Sequence, residues 1–280
     1  MTPRVAVVTV TYDTGETLRP LLASIPTATS EPVVTVVSDN GSSDVDLVRS
    51  IADEHGAAFV VSGQNLGYGG GIRHGLSTIT EPVEFVLVTN PDVVLGEGSI
   101  DRLVEAADRL PRGGSFGPRI VDETGAVYPS ARRLPSLRTG IGHAAFSRVW
   151  PGNPWSQSYW AARETSHERT AGWLSGACVL VRTSAFDEVG GFDEGYFMYF
   201  EDVDLGARLG HAGWDNVFVP DAVVMHSGAH STRGSAKTME RVHHASAYRY
   251  LSRRYRRPVL WPLRMVLKVG LRIRSWWVTR

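Results

Sequence analysis

The residues best suited to chemistry lie at three places along the chain. Tyr199-Phe200-Glu201-Asp202-Val203-Asp204-Leu205 sets three acids among aromatics at the start of a helix-like segment. Asn90-Pro91-Asp92 follows an apolar run, where a strand should end, and His226 closes another short run of the same kind. Acids and an imidazole carried on separate elements to one sheet edge supply a cleft with one cation and one base. That equipment suits the transfer of a group off a nucleotide diphosphate.

Each of these residues also has a plainer reading. A carboxylate after a buried strand, like Asp92, is costly unless it meets water, a donor or a metal. Mg2+ or Mn2+ on a diphosphate needs only one or two protein carboxylates, because phosphates and waters complete the octahedron. His226 would add a nitrogen and favour Mn2+, or be a structural histidine. Acids in a first helical turn complement the dipole, which accounts for one or two of the three. It does not explain their place behind Phe197-Met198-Tyr199-Phe200, where a base would have a raised pKa. Asp39, at the end of a second strand, either accepts a pyrimidine imino N–H or caps the next helix. Thr11, Tyr12 and Asp13 on the adjacent strand end favour the first reading. Gln64 to Gly75 is a glycine-rich entry to a helix, either a phosphate cradle or a close helix–sheet contact. Ile72 holds the place of the third glycine of a dinucleotide fingerprint, which excludes that motif.

The elements that position these residues alternate. Strand-like runs at 5–10, 33–37, 57–61 and 84–88 are separated by helical spacing at 16–25, 45–55 and 67–78. This predicts an α/β chain built on a doubly wound, mostly parallel sheet, with ligands at the carboxyl ends of the strands. Thr11, Asp39, Asn65, Gly67, Asn90 and Asp92 fall there. Further strands at 115–121 and 174–181 flank an aromatic insert, about 128–170, with Trp150, Trp155, Tyr159 and Trp160. That insert is a candidate acceptor loop or a small satellite core. A helix at 201–213, short strands at 216–219 and 222–226, and a last helix at 236–257 ended by Pro258 complete the pattern. Residues 1–235 then form the main domain, with a nucleotide half to about 115 and an acceptor-side half after it. Residues 236–280 are a basic helical extension.

The bulk composition narrows the partners. The 280 residues carry 29 bases and 29 acids, which argues against nucleic acid. No acid follows Glu240, while arginine is dense there and lysine is confined to Lys237 and Lys268. Cys178 is the single cysteine, so an internal disulfide and a thiolate zinc cluster are both excluded. The absence of a signal segment and of a run of about 20 apolar residues predicts a cytoplasmic chain. After Arg253, arginines alternate with aliphatics and tryptophans, as in an interfacial segment on anionic lipid. Leu260, Leu263, Leu267 and Leu271 are its expected apolar stripe. A helix docked on its own domain, or on a second copy in a homodimer, is the alternative.

Taken in order, six motifs resemble the family 2 inverting glycosyltransferases with the GT-A fold over most of the chain. They are Val8-Thr9-Val10-Thr11-Tyr12, the run from Val37 to Asp44, the run from Asn65 to Gly71, Asn90-Pro91-Asp92, the run from Trp173 to Ala177, and the run from Gly191 to Leu205. The resemblance is strongest to the rhamnosyltransferase branch. It implies transfer of rhamnose from dTDP-rhamnose to a polyprenyl-diphosphate-linked N-acetylglucosamine in cell-wall linker synthesis, on the inner face of the plasma membrane. It further implies that Thr11, Tyr12, Asp13 and Asp39 hold the base and ribose, and that Asn65, Gly67, Gly70 and Asn90 line the nucleotide pocket. Asp92 would be the metal acid, with His226 beside it for Mn2+ or Mg2+, because Asn90 replaces the first acid of a full Asp-x-Asp. Asp202 would be the general base with Glu201 as its neighbour, and Trp173 and Gly176 would bound the acceptor pocket. A galactofuranosyl or mannosyl transferase of the same fold is the near alternative. A non-catalytic, membrane-associated nucleotide-sugar-binding protein is the distant one, and it predicts loss of the base or metal acid.

Overall fold

The computed structural model describes residues 2–137, 166–228 and 236–278. The tryptophans and tyrosine of the aromatic insert, Trp150, Trp155, Tyr159 and Trp160, lie outside them. Strands β1 (Val5–Thr11), β2 (Val33–Asp39), β3 (Ala58–Val61) and β4 (Phe85–Thr89) form a parallel block in the order β3-β2-β1-β4. The β-branched run of β1 is buried at every position. Its alternating side chains serve two cores, Val7 on one face and Val8 and Val10 on the other. Helices α1 (Leu18–Ala28) and α2 (Val45–Glu54) cover the Val7 face through Leu18, Leu21, Val48 and Ile51. Helix α3 (Gly67–Leu76) covers the Val8 face through Ile72. Helices on both faces make the sheet doubly wound, as the alternating sequence pattern predicts.

The second half extends the same sheet. In chain order it comprises β5 (Val93–Leu95), α4 (Ser99–Arg109), β6 (Gly113–Val121), β7 (Val127–Tyr128), β8 (Ala131–Arg132), β9 (Arg169–Ala171), β10 (Trp173–Leu174) and β11 (Cys178–Arg182). Then come α5 (Thr183–Glu188), α6 (Glu201–Ala212), β12 (Asp215–His226), α7 (Ala236–Arg254) and α8 (Trp261–Val278). The sheet continues β4-β11-β6-β12-β5. Strand β11 runs antiparallel to β4 and β6, and β5 antiparallel to β12, while β12 is parallel to β6. Strands β8 and β10 pair separately as a two-stranded sheet.

Two expectations change. The two short strands at 216–219 and 222–226 are one strand, β12, whose register on β6 shifts between Val219 and Val223. The irregularity carries Pro220, which could not donate to a regular ladder. The helix expected at 236–257 ends at Arg254 and is not the last. After a turn there, α8 folds back beside α7. Leu260, Leu263, Leu267 and Leu271 are half-buried, whereas Trp261, Met265, Val266, Val269, Ile273 and Trp276 face outward. The helix therefore has a second apolar face. Among the described residues, no helix is long and apolar enough to cross a membrane.

Candidate active site

Because β1, β2, β3, β4 and β12 point the same way, their carboxyl ends share one edge of the sheet. Thr11, Asp39, the turn at Asn65, Asn90-Pro91-Asp92 and His226 all reach that edge. The antiparallel β11 begins there, with Cys178 opposite Thr89 and the Asn90 amide bonded to the Ala177 carbonyl at 2.8 Å. The Trp173 to Ala177 run is thereby brought beside the Asp92 loop.

The acids at the start of α6 separate into two roles. Asp204 is tied to Arg208 at 2.6 Å and lies 3.4 Å from the Tyr196 hydroxyl, so it serves the fold. Asp202 accepts backbone N–H bonds from Gly176 at 3.1 Å and from Val203 at 2.8 Å. Glu201 is buried, and its Oε2 has no hydrogen-bond partner among the described residues. A buried acceptor left open is costly and marks a place where a ligand or a proton belongs. Burial raises both carboxyl pKa values, and the Asp202 charge adds to the rise at Glu201. For Asp202 the two backbone donors and the charge of Arg132 oppose the shift. A base whose pKa is moved up toward the working pH accepts a hydroxyl proton more effectively.

The backbone just before these acids is strained. Tyr199 and Phe200 both take left-handed conformations, with φ of 66° and 69°, at roughly 1–2 kcal/mol each for residues with a Cβ. Helix α7 holds them in place. His243 packs 5.4 Å from both rings, Tyr250 lies 5.7 Å from Phe200, and the Ser246 hydroxyl donates to the Met198 carbonyl at 2.8 Å. Strain kept by outside packing clusters at functional sites. Here it turns the chain so that Glu201 and Asp202 open the helix.

Raised carboxyl pKa values also set how stability varies with pH. Between the ordinary carboxylate range and the raised values, the folded protein keeps a proton that the unfolded chain releases. The stability of the ligand-free protein is therefore expected to fall as pH rises above about 5. Glu201→Gln should make that slope shallower in urea denaturation across a pH series; an unchanged slope would show that Glu201 does not hold the proton.

Asp92 and His226 form the second centre. The Asp92 Oδ1 lies 3.1 Å from His226 Nε2, and the side-chain Nδ2 of Asn90 lies 3.3 Å from the same ring nitrogen. That nitrogen carries at most one hydrogen, so protein partners alone do not fully serve the cluster. Cis ligands of an octahedral ion with bonds of about 2.1 Å sit about 3 Å apart, which the oxygen–nitrogen spacing matches. These residues fit a divalent cation whose other ligands come from a diphosphate and water. No group of three or more His, Cys, Asp or Glu suited to a metal occurs among the described residues.

The nucleotide-side residues divide into builders and exposed groups. Asp39 is fully buried and holds its own turn. Its Oδ1 accepts from the Gly41 and Ser42 amides, and its Oδ2 from the Thr11 and Ser42 hydroxyls. Those four donors leave no open acceptor direction for a base. Asn65 is likewise engaged, its Oδ1 accepting from the Gly67 amide at 2.9 Å. Tyr12 and Asp13 are exposed, the latter bonding Ser43 through the backbone amide and hydroxyl. The glycines of α3 serve packing. A Cβ on Gly67 would lie 2.2 Å from the Phe197 carbonyl oxygen, and those on Gly69 and Gly71 would meet Phe192 and Val10. Gly70, against Leu66, is the half-exposed member.

Two residues of the site, Tyr68 and Asn40, fall within motifs read from the sequence but were given no role there. Tyr68 donates from its hydroxyl to the Gly176 carbonyl at 2.6 Å. Burial, Glu201, Asp202 and, more weakly, Asp92 raise its pKa. Asn40 donates to the Gly67 carbonyl at 2.9 Å. Tyr68 lies inside the glycine-rich run and Asn40 beside Asp39, so attention to the motif's non-glycine residues would have found both. Trp173 caps Arg133 through its indole N–H at 3.1 Å and packs on Gly206 of α6. Gly176 meets both Asp202 and Tyr68, which places that expected acceptor residue against the Asp202 carboxylate.

Comparison with known proteins agrees with this arrangement. Residues 3–245 match the family described as glycosyltransferase like family 2. The chain is 45% identical to the N-acetylglucosaminyl-diphospho-decaprenol L-rhamnosyltransferase of Mycobacterium tuberculosis, covering 98% of this chain and 94% of that protein. It is 26% identical to the rhamnosyltransferase WbbL of Escherichia coli K12, over 89% of this chain and 93% of that one. A solved structure of the mannosyltransferase PcManGT from Pyrobaculum calidifontis, in complex with GDP-Man and Mn2+, superposes with a TM-score of 0.61 at 16% identity. It covers 100% of this chain and 72% of its own, and supports the fold alone. With the GT-A-like architecture and the family match in agreement, this chain belongs to glycosyltransferase family 2.

Proposed function

We propose that the chain is an inverting rhamnosyltransferase that moves rhamnose from dTDP-rhamnose to a polyprenyl-diphosphate-linked N-acetylglucosamine. The reading is carried by Asp202 and the Asp92–His226 pair lying at one sheet edge, with the Tyr68 hydroxyl on the Gly176 carbonyl beside Asp202. High identity to the mycobacterial rhamnosyltransferase over nearly the whole chain supports the choice of sugar and acceptor.

Asp202, held by the Gly176 and Val203 amides, takes the proton of the acceptor hydroxyl as its oxygen bonds to the anomeric carbon. The bond from that carbon to the donor diphosphate breaks on the opposite face, and the diphosphate leaves with the electron pair. One displacement inverts the centre. Asp92 and His226 would hold Mn2+ or Mg2+, which supplies positive charge for the leaving diphosphate. Tyr12 and Asp13 offer the exposed contacts for base and ribose, on a turn braced by Asp39 and Thr11. Asn65, Gly67 and Gly70 shape the neighbouring wall, and Asn90 positions His226.

The purified chain is expected to convert a short prenyl-diphospho-N-acetylglucosamine with dTDP-rhamnose, and to show a metal-enhanced thermal shift with dTDP. Transfer only from a galactofuranosyl or mannosyl donor would replace the donor. No transfer and no nucleotide shift would overturn the enzyme reading.

The outward face of α8, with Trp261, Val266, Val269, Ile273 and Trp276 among arginines, supports peripheral binding to the anionic inner face of the plasma membrane. Val266→Glu with Ile273→Glu should lower co-sedimentation with anionic vesicles, and added salt should weaken binding of the parent chain. Equal sedimentation of both proteins would instead assign the face to protein contact, such as a homodimer.

A further inference from the structure

Arg132 stands on β8 directly opposite Trp173 on β10. Its guanidinium carbon lies 5.1 Å from the Tyr128 ring and 5.5 Å from the Trp173 ring, and its Nε donates to the Pro129 carbonyl at 2.7 Å. Two aromatic faces and one hydrogen bond fix the plane of the group. Among the described residues, its two terminal nitrogens make no hydrogen bond and no ion pair. The platform is itself fixed, since Trp173 is bonded to the Arg133 carbonyl and seated on Gly206 of α6.

Its location limits what it can meet. From Trp173, β10 runs into Ser175 and Gly176, whose amide binds Asp202. The charge of Arg132 is felt at that carboxylate. A planar guanidinium with free N–H edges suits a phosphate. In a diphosphate-linked sugar the phosphate is joined to the same ring as the reacting hydroxyl, so it must lie about one ring's width from the base. The donor diphosphate already has Asp92 and His226, at the ends of β4 and β12.

We propose that Arg132, stacked on Tyr128 and Trp173, binds the diphosphate of the acceptor and thereby selects a diphosphate-linked sugar over a neutral glycoside. The assignment rests on the transferase reading above. It makes Arg132 a specificity residue for the anionic linkage, distinct from the donor contacts.

The test compares the parent chain with Arg132→Gln and Arg132→Lys. Acceptors are a short prenyl-diphospho-N-acetylglucosamine and an uncharged alkyl N-acetylglucosaminide, and geranyl diphosphate serves as a sugar-free competitor. Arg132→Gln should lower kcat/KM for the charged acceptor by about 10- to 100-fold. It should leave dTDP affinity unchanged, lower any turnover of the neutral acceptor far less than that of the charged one, because only the Arg132 charge felt at Asp202 is lost there, and abolish competition by geranyl diphosphate. Arg132→Lys should recover part of each loss. Undiminished competition in Arg132→Gln, an equal loss on both acceptors, or weakened dTDP binding would each overturn the assignment while leaving the transferase reading intact. A parent chain inert toward both acceptors would overturn the transferase reading, and this one with it.

Discussion

Asp202→Asn is expected to lower turnover by about 10²–10⁴-fold while the donor nucleotide still binds. The substitution keeps the side-chain shape and one carbonyl oxygen for the Gly176 or Val203 amide, so the start of α6 should survive. What it removes is the site for the hydroxyl proton, worth about 3–5 kcal/mol of barrier. Glu201→Gln should cost less, because it is the Asp202 carboxylate, not that of Glu201, that accepts from the Gly176 and Val203 amides. Rates and dTDP affinities of the two variants, measured side by side, separate the roles. Turnover of Asp202→Asn at the parent rate would move the base elsewhere; lost dTDP binding would show that the variant damages the pocket.

Gly67→Ala should be the most damaging small substitution. Gly67 has φ of +74°, and a Cβ there would lie 2.2 Å from the Phe197 carbonyl oxygen. That same oxygen accepts the Tyr68 amide at 2.9 Å, while the Gly67 amide and carbonyl are bonded to Asn65 and Asn40. The left-handed backbone alone costs about 1 kcal/mol, and displacing the Phe197 carbonyl adds about 1–3 more. A loss of about 2–4 kcal/mol corresponds to a fall in Tm of roughly 4–16 °C for a chain of this size. Gly125→Ala is the control, because its φ is +80° but its Cβ would meet nothing within 4 Å. It should cost only the backbone share. Equal Tm losses in the two variants would refute the steric argument. Since Tyr68 reaches Gly176 from the same turn, Gly67→Ala should also reduce turnover in the fraction that remains folded.

The contrast between these residues explains what was legible in the sequence. The parallel block could be read because its strands are short β-branched runs ending in Asp, Asn and Gly. A strand must stop where such residues turn the chain. Asp92, His226, Glu201 and Asp202 were legible for the related reason that charged groups at strand and helix ends demand a partner. Arg132 was not, because β8 and β10 hold two residues each and show no periodicity. Its neighbours Tyr128 and Trp173 are brought together only by pairing across distant sequence. Asp39 was legible as a buried strand-end acid, but its donors come from Thr11 and its own turn, which spacing alone does not distinguish from a ligand. The apolar stripe of α8 was read as one face. Leucines and the larger outward residues alternate around the helix, and only the packing against α7 tells them apart.

Helix α7 pins Tyr199 and Phe200 in left-handed conformations, yet it is made after them. While the ribosome is still adding residues 236–254, the acids of α6 exist without the clamp that aims them. The sheet is paired wholly within the earlier residues. The clamp that aims the α6 acids is therefore closed only after the sheet it serves has been made.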